Sequence, residues 1–349
     1  MTTVLAAGDH FVRADRLAAA VREACGPDGA DLDVVELTLP WPDVPFGRVA
    51  EVDEASDAED EMIAHLAGAQ ACVTQMGPVT ARVLEACPDL RFVGVGRGGP
   101  VNVNLEAATA HGVQVTRAPG RNAVATAEHT VAMMLAAARR IPQVHADLLA
   151  GTWRGDFYRY DTAGPEIAGS TVGLVGVGEI GERVASRLEG FGARVLVHDP
   201  YLPEGHRRAA GAVDLDELLG AADLLSLHAR LTADNVRMIG ARELALLPQG
   251  AVLVNCARAG LLDHDALCDA LESGHLHAAA LDVFPDEPPA ADSRLLRAPR
   301  LVMTPHLAGA SRQTADNACR IVAADLAAHL RGEPPEHLVN PEVLEQPHR

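Results

Sequence analysis

The segment from Thr171 to Asp199 constrains the fold of this 349-residue sequence more than any other part. An apolar run that begins at Thr171 leads into three glycines spaced Gly-x-Gly-x-x-Gly, and a helical pattern follows them. A second apolar run, Arg194-Val-Leu-Val-His, then ends in the acid Asp199. Two strands joined through a helix in this way form a βαβ unit, so the segment predicts a parallel sheet covered by helices.

Each glycine of the pattern has its own physical role. Gly176 makes the tight turn after the strand, Gly178 lets a pyrophosphate approach the backbone, and Gly181 lets the helix pack close to the strand. The N-terminus of that helix offers unpaired N–H groups and a positive dipole end to phosphates. Asp199 would accept hydrogen bonds from the adenosine ribose and repel a 2′-phosphate, so the pattern favours NAD over NADP. A simple turn acid before Pro200 is the alternative interpretation.

The alternation of strand and helix patterns extends well beyond this unit. It continues from Thr171 to about Pro305, which predicts a doubly wound parallel sheet. Residues 1–118 also alternate short strands and helices, and an amphipathic helix is expected from Ser311 to Leu330. Because single hydrophobic cores stop growing at about 250–300 residues, the length favours two domains. With 48% hydrophobic but only 3% aromatic residues, their cores are expected to consist of Ala, Val and Leu.

Charge and composition exclude several classes of function. The formal net charge is −19, which argues against nucleic acid or an anionic membrane surface as a partner, although a small anionic substrate remains compatible with locally convergent arginines. All 29 basic residues are arginine. Mechanisms that need a lysine, such as Schiff-base chemistry or a phosphate-binding P-loop, are therefore excluded.

The cysteines and the apolar runs indicate where the protein resides. The six cysteines contain no Cys-x-x-Cys pair, so neither a zinc site nor a redox dithiol is expected, and no metal is predicted. Scattered thiols are typical of a reduced, cytoplasmic protein. No apolar run approaches the roughly 18 residues that a membrane span needs. The N-terminus lacks a basic leader, so we expect no signal peptide.

Polar residues follow three later apolar strands of the predicted sheet. Arg258 follows the run Ala251-Val-Leu-Val-Asn255, Glu287 follows Ala280-Leu-Asp-Val-Phe, and His306 follows Leu301-Val-Met-Thr-Pro. Because the carboxyl ends of parallel strands gather at one crevice, these side chains are expected to lie together. Taken singly, each has an ordinary structural interpretation: a surface arginine, a loop acid and a core histidine.

These motifs together resemble the D-2-hydroxyacid dehydrogenases, an NAD-dependent family that includes D-3-phosphoglycerate dehydrogenases and glyoxylate reductases. The resemblance covers nearly the whole chain, and its specificity comes from the combination. It rests on the glycine pattern with Asp199, Asn-Cys-Ala-Arg at 255–258, Asp-Val-Phe-x-x-Glu-Pro at 282–288, Thr-Pro-His-x-Ala-Gly at 304–309, and Ala-Glu-His-Thr at 127–130.

The resemblance implies a role for each of the three polar residues. Arg258 would hold the substrate carboxylate and polarise the C2 carbonyl, a task that suits the guanidinium fork. His306 would protonate the carbonyl oxygen during reduction and act as the base in the reverse direction. Glu287 would hydrogen-bond His306, fix its tautomer and favour the protonated imidazole near neutral pH.

The resemblance also implies the contacts to the cofactor. Asp282 would hold the nicotinamide carboxamide, and Cys256 is expected to be a small packing residue rather than a thiol nucleophile. The further residues expected to line NAD are Gly176, Gly178, Glu179, Ile180, Gly181, Asp199, Ala229, Cys256, Ala257, Arg258, His306 and Gly309.

The expected substrate loop departs from the family pattern. In the family a glycine-rich turn supplies backbone N–H groups to the substrate carboxylate, and here the expected substrate contacts are Arg97, Gly98 and Gly99 together with Arg258. The loop is shorter than in phosphoglycerate-type relatives, so the sequence leaves the substrate open beyond a small anionic 2-oxo or 2-hydroxy acid. Further arginines that could meet a phosphate or second carboxylate are Arg117, Arg121 and Arg154.

Two rival functions remain compatible with parts of the pattern. Formate dehydrogenases of this scaffold have glutamine at the position of Glu287, so the glutamate speaks against them, whereas phosphite oxidation uses the same residue types. A non-catalytic NAD(H)-sensing protein of the same fold would also keep the cofactor site. The segment Tyr158-Arg159-Tyr160 either reaches a polar substrate or packs in a dimer.

The predicted architecture is therefore α/β, with two Rossmann-like or flavodoxin-like domains. The substrate domain is expected at residues 1–118 and 311–349, with the NAD domain, residues 119–310, inserted into it. A helix predicted over 123–140 is apolar nearly all round, so we expect it to be buried, and a homodimer is expected.

Overall fold

The chain forms two compact units, each built on a parallel sheet. The computed structural model describes residues 1–26, 32–203 and 205–345. One unit comprises Met1–Asn122 and Ala310–Arg349, and the other comprises Ala123–Gly309. Two parallel sheets interleaved with helices confirm the predicted α/β class. Across the described ranges, no helix is long and apolar enough to cross a membrane.

The first unit has a five-stranded sheet in the order β2-β1-β3-β4-β5, with every neighbouring pair parallel. Its alternating elements up to the second unit are β1 (Thr2–Gly8), α1 (Ala14–Cys25), β2 (Leu32–Thr38), α2 (Glu59–Leu66), β3 (Ala71–Thr74), α3 (Ala81–Ala86), β4 (Phe92–Val95), α4 (Leu105–Ala110) and β5 (Gln114–Arg117).

Strand β1, which lies between β2 and β3, has apolar side chains on both faces, as expected for a sheet covered by helices on both sides. Leu5 and Ala7 belong to the core on one face, whereas Val4 and Ala6 belong to the core on the other. The strand period of two therefore divides one continuous apolar run between two cores.

The second unit has a six-stranded sheet in the order β11-β10-β9-β8-β6-β7, again with parallel neighbours. Its elements are α5 (Ala123–Ala138), α6 (Ile141–Leu149), β6 (Thr171–Val175), α7 (Glu179–Gly190), β7 (Arg194–His198), α8 (Leu215–Ala221), β8 (Leu224–Leu227), α9 (Ala241–Leu246), β9 (Ala251–Asn255), α10 (His264–Glu272), β10 (Leu276–Leu281) and β11 (Leu301–Met303).

The strand order of the second unit reverses at β6. The next strand, β7, lies on one side of β6, and β8 lies on the other. Ligands of doubly wound sheets bind at the carboxyl ends of the strands at such a reversal point. The glycine pattern follows β6 directly, so it lies at this position.

Two helices predicted from the sequence, near residues 123–140 and 311–330, are present in the structure. The last one, α11 (Arg312–Leu330), packs against α1 in the first unit, and the hydroxyl of Ser311 caps it by accepting from the N–H of Thr314 at 3.1 Å. The helix α5 is less uniformly buried than predicted, since Val124, Glu128 and Ala132 form an exposed stripe. Its spacing of four residues follows from the helical repeat.

Candidate functional site

Two of the three patterned glycines are required by the local packing. Gly176 has φ +90°, and a Cβ there would lie 2.6 Å from the backbone nitrogen of Ala229. A Cβ on Gly181 would lie 2.5 Å from the carbonyl oxygen of Gly176. Both distances are far below van der Waals contact, so any side chain would force the strand, helix and neighbouring loop apart.

Gly178 differs from its two neighbours because the space beside it is open. A Cβ there would meet nothing within 4 Å among the described residues. Gly178 is also the N-cap of α7, and it makes no side-chain capping bond. The first N–H groups of α7 thus have no side-chain cap, and the Cβ position of Gly178 beside them is open, an arrangement that fits a pyrophosphate.

Asp199 follows β7 and accepts hydrogen bonds from two backbone N–H groups. Its Oδ2 accepts from the N–H of Val177 at 2.8 Å, and its Oδ1 accepts from the N–H of Tyr201 at 3.0 Å. The carboxylate therefore holds the glycine turn in place, and it remains half-buried. Contact with a ribose stays a prediction.

His228, which the sequence interpretation did not identify, packs directly on the glycine turn. It follows β8, and its Nε2 lies 2.9 Å from the hydroxyl of the buried Ser226. Its Cβ would be 3.4 Å from a Cβ built on Gly181. Burial lowers the pKa of His228 to about 4, so the imidazole is neutral at physiological pH.

Arg258 is presented by a turn that a buried side chain shapes. Asn255, at the end of β9, accepts the N–H of Ala257 at 3.0 Å and donates to the carbonyl of Arg258 at 2.9 Å. The Arg258 side chain is exposed, and its Nη1 donates to the carbonyl of Ala257 at 2.7 Å. The turn thus fixes the backbone while the guanidinium projects outward.

His306 and Glu287 form a direct hydrogen-bonded pair. The Nδ1 of His306 lies 2.7 Å from the Oε2 of Glu287, and the other carboxylate oxygen accepts the N–H of Phe284 at 3.0 Å. The glutamate is therefore anchored at one oxygen and bound to the imidazole at the other. Since a carboxylate only accepts, Nδ1 carries the proton and Nε2 is left for a ligand.

Asp282 holds the turn that carries His306. Its side chain is 0% exposed, and its two oxygens accept the N–H groups of Leu307 and Ala308, both at 2.8 Å. The carbonyl of Asp282 accepts the N–H of His306 at 2.9 Å. His306 has φ +54°, a left-handed conformation that non-glycine residues adopt only when held.

This placement gives Asp282 a structural role beside the expected one. The resemblance implied a contact with the nicotinamide carboxamide, whereas the structure places the carboxylate in the interior with donors from its own backbone. Such a carboxylate acts on the site by fixing His306. A direct contact with a carboxamide remains a prediction.

Two side chains behind this turn were not assigned a role from the sequence. The hydroxyl of Thr304 donates to Asp282 Oδ1 at 2.5 Å and lies 3.0 Å from His129 Nε2. His129 Nε2 is 3.6 Å from Asp282 Oδ1. Both residues belong to motifs on which the resemblance rests. The contact between them joins positions far apart in the sequence, so no local sequence pattern predicts it.

Cys256 is a buried thiol beside this network. Burial, together with the nearby charge of Asp282, raises the pKa of Cys256 to about 12. The thiolate is therefore absent at neutral pH, which agrees with its interpretation as a packing residue. Its neighbour Ala257 has its N–H bound by Asn255.

Arg258, Glu287 and His306 line one cavity of about 760 Å³ within the second unit. Its walls also include Leu231, Gly260 and Phe284. A cavity of this size accommodates a small molecule. The structure thus brings together the three side chains that follow β9, β10 and β11, as their positions at neighbouring strand ends predict.

The expected substrate loop lies in the first unit, directly after β4. Gly98 and Gly99 have open space at their Cβ positions among the described residues. Arg97 is bound by the carboxylate of Glu54, and its Nη1 donates to the carbonyl of Glu54 at 3.2 Å. In the second unit, Tyr158 and Tyr160 are each 97% exposed.

Comparison with known proteins identifies what the chain resembles. Residues 131–308 match the family model described as D-isomer specific 2-hydroxyacid dehydrogenase, NAD binding domain. This match agrees with the NAD-binding domain predicted from the glycine pattern and covers the residues around Arg258, Glu287 and His306.

Curated relatives match over most of the chain. A D-3-phosphoglycerate dehydrogenase of Methanocaldococcus jannaschii is 38% identical over 84% of this chain and 56% of its own length. A glyoxylate reductase of Korarchaeum cryptofilum is 37% identical over 84% of this chain and 89% of its own length. The chain spans about half the length of the phosphoglycerate dehydrogenases that it matches.

A solved structure supports the fold. The NAD-complexed D-isomer specific 2-hydroxyacid dehydrogenase of Lactobacillus delbrueckii ssp. bulgaricus aligns with a TM-score of 0.77 at 23% identity. The alignment covers 97% of this chain and 100% of that one.

Proposed function

Because the chain belongs to the D-isomer specific 2-hydroxyacid dehydrogenase family, we propose that it interconverts a 2-oxo acid and a D-2-hydroxy acid with NAD as the hydride carrier. The observation that carries the proposal is the His306–Glu287 pair, 2.7 Å apart, in the same cavity as Arg258. A proton donor, its carboxylate partner and a guanidinium are the groups that carbonyl reduction requires.

Each of these three groups has a task in the reduction direction. Arg258 binds the substrate carboxylate and polarises the C2 carbonyl. His306 donates its Nε2 proton to the carbonyl oxygen, and Glu287 stabilises the positive charge that the imidazole carries before the transfer. When bound, NADH supplies the hydride to C2. In the oxidation direction His306 takes the hydroxyl proton.

The proposed contacts to the cofactor lie near the carboxyl end of β6, where the strand order reverses. The first N–H groups of α7, at Glu179, Ile180 and Gly181, bind the pyrophosphate, and Asp199 binds the adenosine ribose. The remaining proposed contacts are Gly176, Gly178, Ala229, Cys256, Ala257, Arg258, Asp282, His306 and Gly309. Support comes from the open space at Gly178 and the uncapped helix end.

The substrate contacts are Arg258 and the loop residues Arg97, Gly98 and Gly99. The open Cβ positions of the two glycines leave the loop backbone accessible to a carboxylate. Backbone N–H groups in such a turn are suited to an anion. The substrate is a small anionic 2-oxo acid.

The proposal is tested by measuring NADH consumption by the full chain with glyoxylate, hydroxypyruvate and longer 2-oxo acids. We expect turnover with at least one acid and its loss in His306→Asn, whereas the exposed His65→Asn leaves the rate unchanged. Binding of NADH without turnover of any acid in the panel would instead indicate a sensor and overturn the proposed function.

A homodimer is supported by an exposed apolar surface in the second unit. No residue of α6 is buried within the described structure, and its Ile141, Leu148 and Leu149 are exposed together with Trp153 on the following loop. Several large exposed apolar side chains on one helix and the loop after it favour an interface. We expect sedimentation as a dimer, and monomers for Leu148→Glu but not for the matched Gln143→Glu.

A cytoplasmic location accompanies this function. All six cysteines are free thiols. Unpaired thiols of this number are typical of a reducing compartment. Cell fractionation tests the location, and recovery outside the cytoplasmic fraction would contradict it.

A further inference from the structure

A chain of hydrogen bonds within the second unit leads from α5 to the turn that carries His306. Its members are His129 on α5, Thr304 directly after β11 and Asp282 directly after β10. Asp282 in turn holds the backbone of His306, whose N–H donates to the Asp282 carbonyl at 2.9 Å. Proton transfer by His306 by itself assigns no task to His129 or Thr304.

The carboxylate at the end of this chain is buried. Asp282 is 0% exposed, and it accepts the backbone N–H groups of Leu307 and Ala308 at 2.8 Å each. A third donor is a side chain, the hydroxyl of Thr304, at 2.5 Å from Oδ1. Among the described residues, His129 is the only basic side chain within 4.0 Å of this carboxylate, with Nε2 at 3.6 Å from Oδ1. Because water does not reach the carboxylate, its position depends on each of these donors.

The direction of the bonds follows from the chemistry of the three groups. A carboxylate only accepts, so the single hydroxyl hydrogen of Thr304 points at Asp282. The Thr304 oxygen then accepts from His129, whose Nε2 lies 3.0 Å away, so this nitrogen carries a hydrogen. Each hydrogen bond polarises the next, and the donation from His129 therefore strengthens the donation from Thr304. His129 thus keeps the hydroxyl hydrogen turned toward Asp282.

The helix α5 fixes where His129 meets the hydroxyl. It packs against β9, β10 and β11, and the side chain of His129 is 24% exposed. Met133 lies one helical turn further on the same face, with its Sδ 3.9 Å from the hydroxyl oxygen of Thr304. Two side chains of one packed helix therefore hold the hydroxyl in place relative to the sheet.

The turn at the far end of the chain needs this support. His306 has φ +54°, a conformation that a residue with a side chain keeps only when its surroundings hold it. Glu287 orients the imidazole of His306, whereas the carbonyls of Asp282 and Thr304 hold its backbone N–H. A small displacement of the turn would move Nε2 away from the carbonyl oxygen of a substrate bound at Arg258, and proton transfer depends steeply on that distance.

We propose that His129 is a positioning residue for proton transfer. By donating to Thr304 it fixes the carboxylate of Asp282, and through that carboxylate it fixes the turn that places the imidazole of His306. His129 itself exchanges no proton in the reaction. The inference rests on the proposed function, because it concerns the rate of the same reaction. Loss of the Nε2 donor is then expected to lower kcat and to leave the binding of NADH unchanged.

The test compares two substitutions of His129 in the full chain. His129→Phe replaces the imidazole by a ring without a donor, whereas His129→Gln keeps an amide NH₂ near the position of Nε2. NADH consumption is measured with the 2-oxo acid that the wild type reduces fastest. His65→Phe is the matched control, because His65 is an exposed histidine of α2 in the first unit and its Nδ1 contacts only the carbonyl of Glu61 on the same helix among the described residues.

We expect His129→Phe to lower kcat about 3- to 10-fold, the factor that one ordinary hydrogen bond represents. The KM for NADH should stay at the wild-type value. His129→Gln should recover most of the kcat, and His65→Phe should keep all of it. A wild-type kcat in His129→Phe, or no recovery in His129→Gln, overturns the inference while the proposed function stands. Absence of turnover by the wild type with any 2-oxo acid overturns the proposed function and the role of His129 with it.

A double-variant cycle separates the route through Thr304 from a general loss of packing. Thr304→Val removes the hydroxyl through which His129 acts. The double variant His129→Phe/Thr304→Val should therefore lose no more kcat than the more impaired of the two single variants. Losses that multiply would show that the two side chains act independently, which contradicts the inference.

His129→Asn replaces His129→Phe in these measurements where the phenylalanine variant does not fold. Its amide is one methylene shorter than that of His129→Gln, so it does not reach the hydroxyl of Thr304. We expect a lower kcat in His129→Asn than in His129→Gln. Equal kcat values in these two polar variants would show that donation to Thr304 has no effect on the reaction, and the inference would fall.

Discussion

The imidazole Nδ1 of His306 lies 2.7 Å from the Oε2 of Glu287, and both side chains face the cavity that Arg258 also lines. The glutamate is held at its other oxygen by the N–H of Phe284. The imidazole orientation therefore depends on a carboxylate that the backbone fixes. This arrangement leaves Nε2 for proton exchange and places the carboxylate of Glu287 directly against Nδ1.

Glu287→Gln separates charge from geometry at this pair. The glutamine oxygen can still accept from Nδ1, but it no longer stabilises the imidazolium. We expect kcat/KM for 2-oxo acid reduction to fall about 10- to 100-fold, because the imidazole that donates the proton loses its carboxylate partner. Steady-state kinetics with a 2-oxo acid measure this loss.

The control for this prediction is His306→Asn, which removes the acid and lowers kcat at every pH by about 10²- to 10⁴-fold. If Glu287→Gln instead kept the wild-type kcat/KM, the charge of Glu287 would have no part in proton transfer.

Asp282→Asn tests the support beneath His306. The amide introduced by this substitution would turn its NH₂ group toward one of the N–H donors of Leu307 and Ala308, which leaves a buried donor unsatisfied. We expect a loss of about 2–4 kcal/mol in the free energy of unfolding. Urea unfolding measures the loss, and a near-neutral result would contradict the role of Asp282 in holding this turn.

Thr304→Val is the matched variant, because it removes the hydroxyl that binds Asp282 and His129 but leaves both backbone donors to Asp282 in place. It is expected to cost about 1 kcal/mol. The larger loss in Asp282→Asn would then reflect the two backbone donors rather than the network as a whole.

The sequence predicted the elements that depend on local patterns. Strands β6, β7 and β9 coincide with the apolar runs that predict them, and α11 begins at the residue after its N-cap, Ser311. Arg258, Glu287 and His306 meet because each follows a strand in one parallel sheet, and that rule needs no tertiary information.

The sequence could not predict contacts that depend on packing between distant elements. His129 reaches Thr304 from α5, and His228 packs on the glycine turn from the end of β8. Nothing in the residues around either histidine distinguishes such a contact from an exposed one. Likewise, the sequence does not show that the carboxylate of Asp282 is buried and accepts the N–H groups of Leu307 and Ala308.

Two glycine variants separate a role in cofactor binding from a role in packing: Gly178→Ala tests the first and Gly181→Ala tests the second. A Cβ at Gly178 meets nothing within 4 Å among the described residues, so the variant should fold with little change in stability. Its methyl group would stand where we place the pyrophosphate, and we expect NADH to bind about 10- to 100-fold more weakly. Fluorescence titration with NADH measures the affinity.

Gly181→Ala is expected to act on the fold instead. The added Cβ would lie 2.5 Å from the carbonyl oxygen of Gly176, so the helix must move away from the strand. We expect a loss of about 1–3 kcal/mol in the free energy of unfolding from overpacking.

For Gly178→Ala, the contradicting outcome is an affinity for NADH equal to that of the wild type, which would show that the pyrophosphate binds elsewhere.

His228 makes the stability of the protein depend on pH in a defined window. Its pKa is lowered by burial from an ordinary value of 6.5 to about 4. Between these values the unfolded chain binds a proton that the folded chain does not, so stability decreases as pH falls from 6.5 to 4, by about 3 kcal/mol at most. His228→Gln removes this contribution. Urea unfolding at pH 7.5, 6 and 5 should therefore show a smaller decline in the variant than in the wild type or in the exposed control His65→Gln, and equal declines would mean that His228 is charged in the folded state.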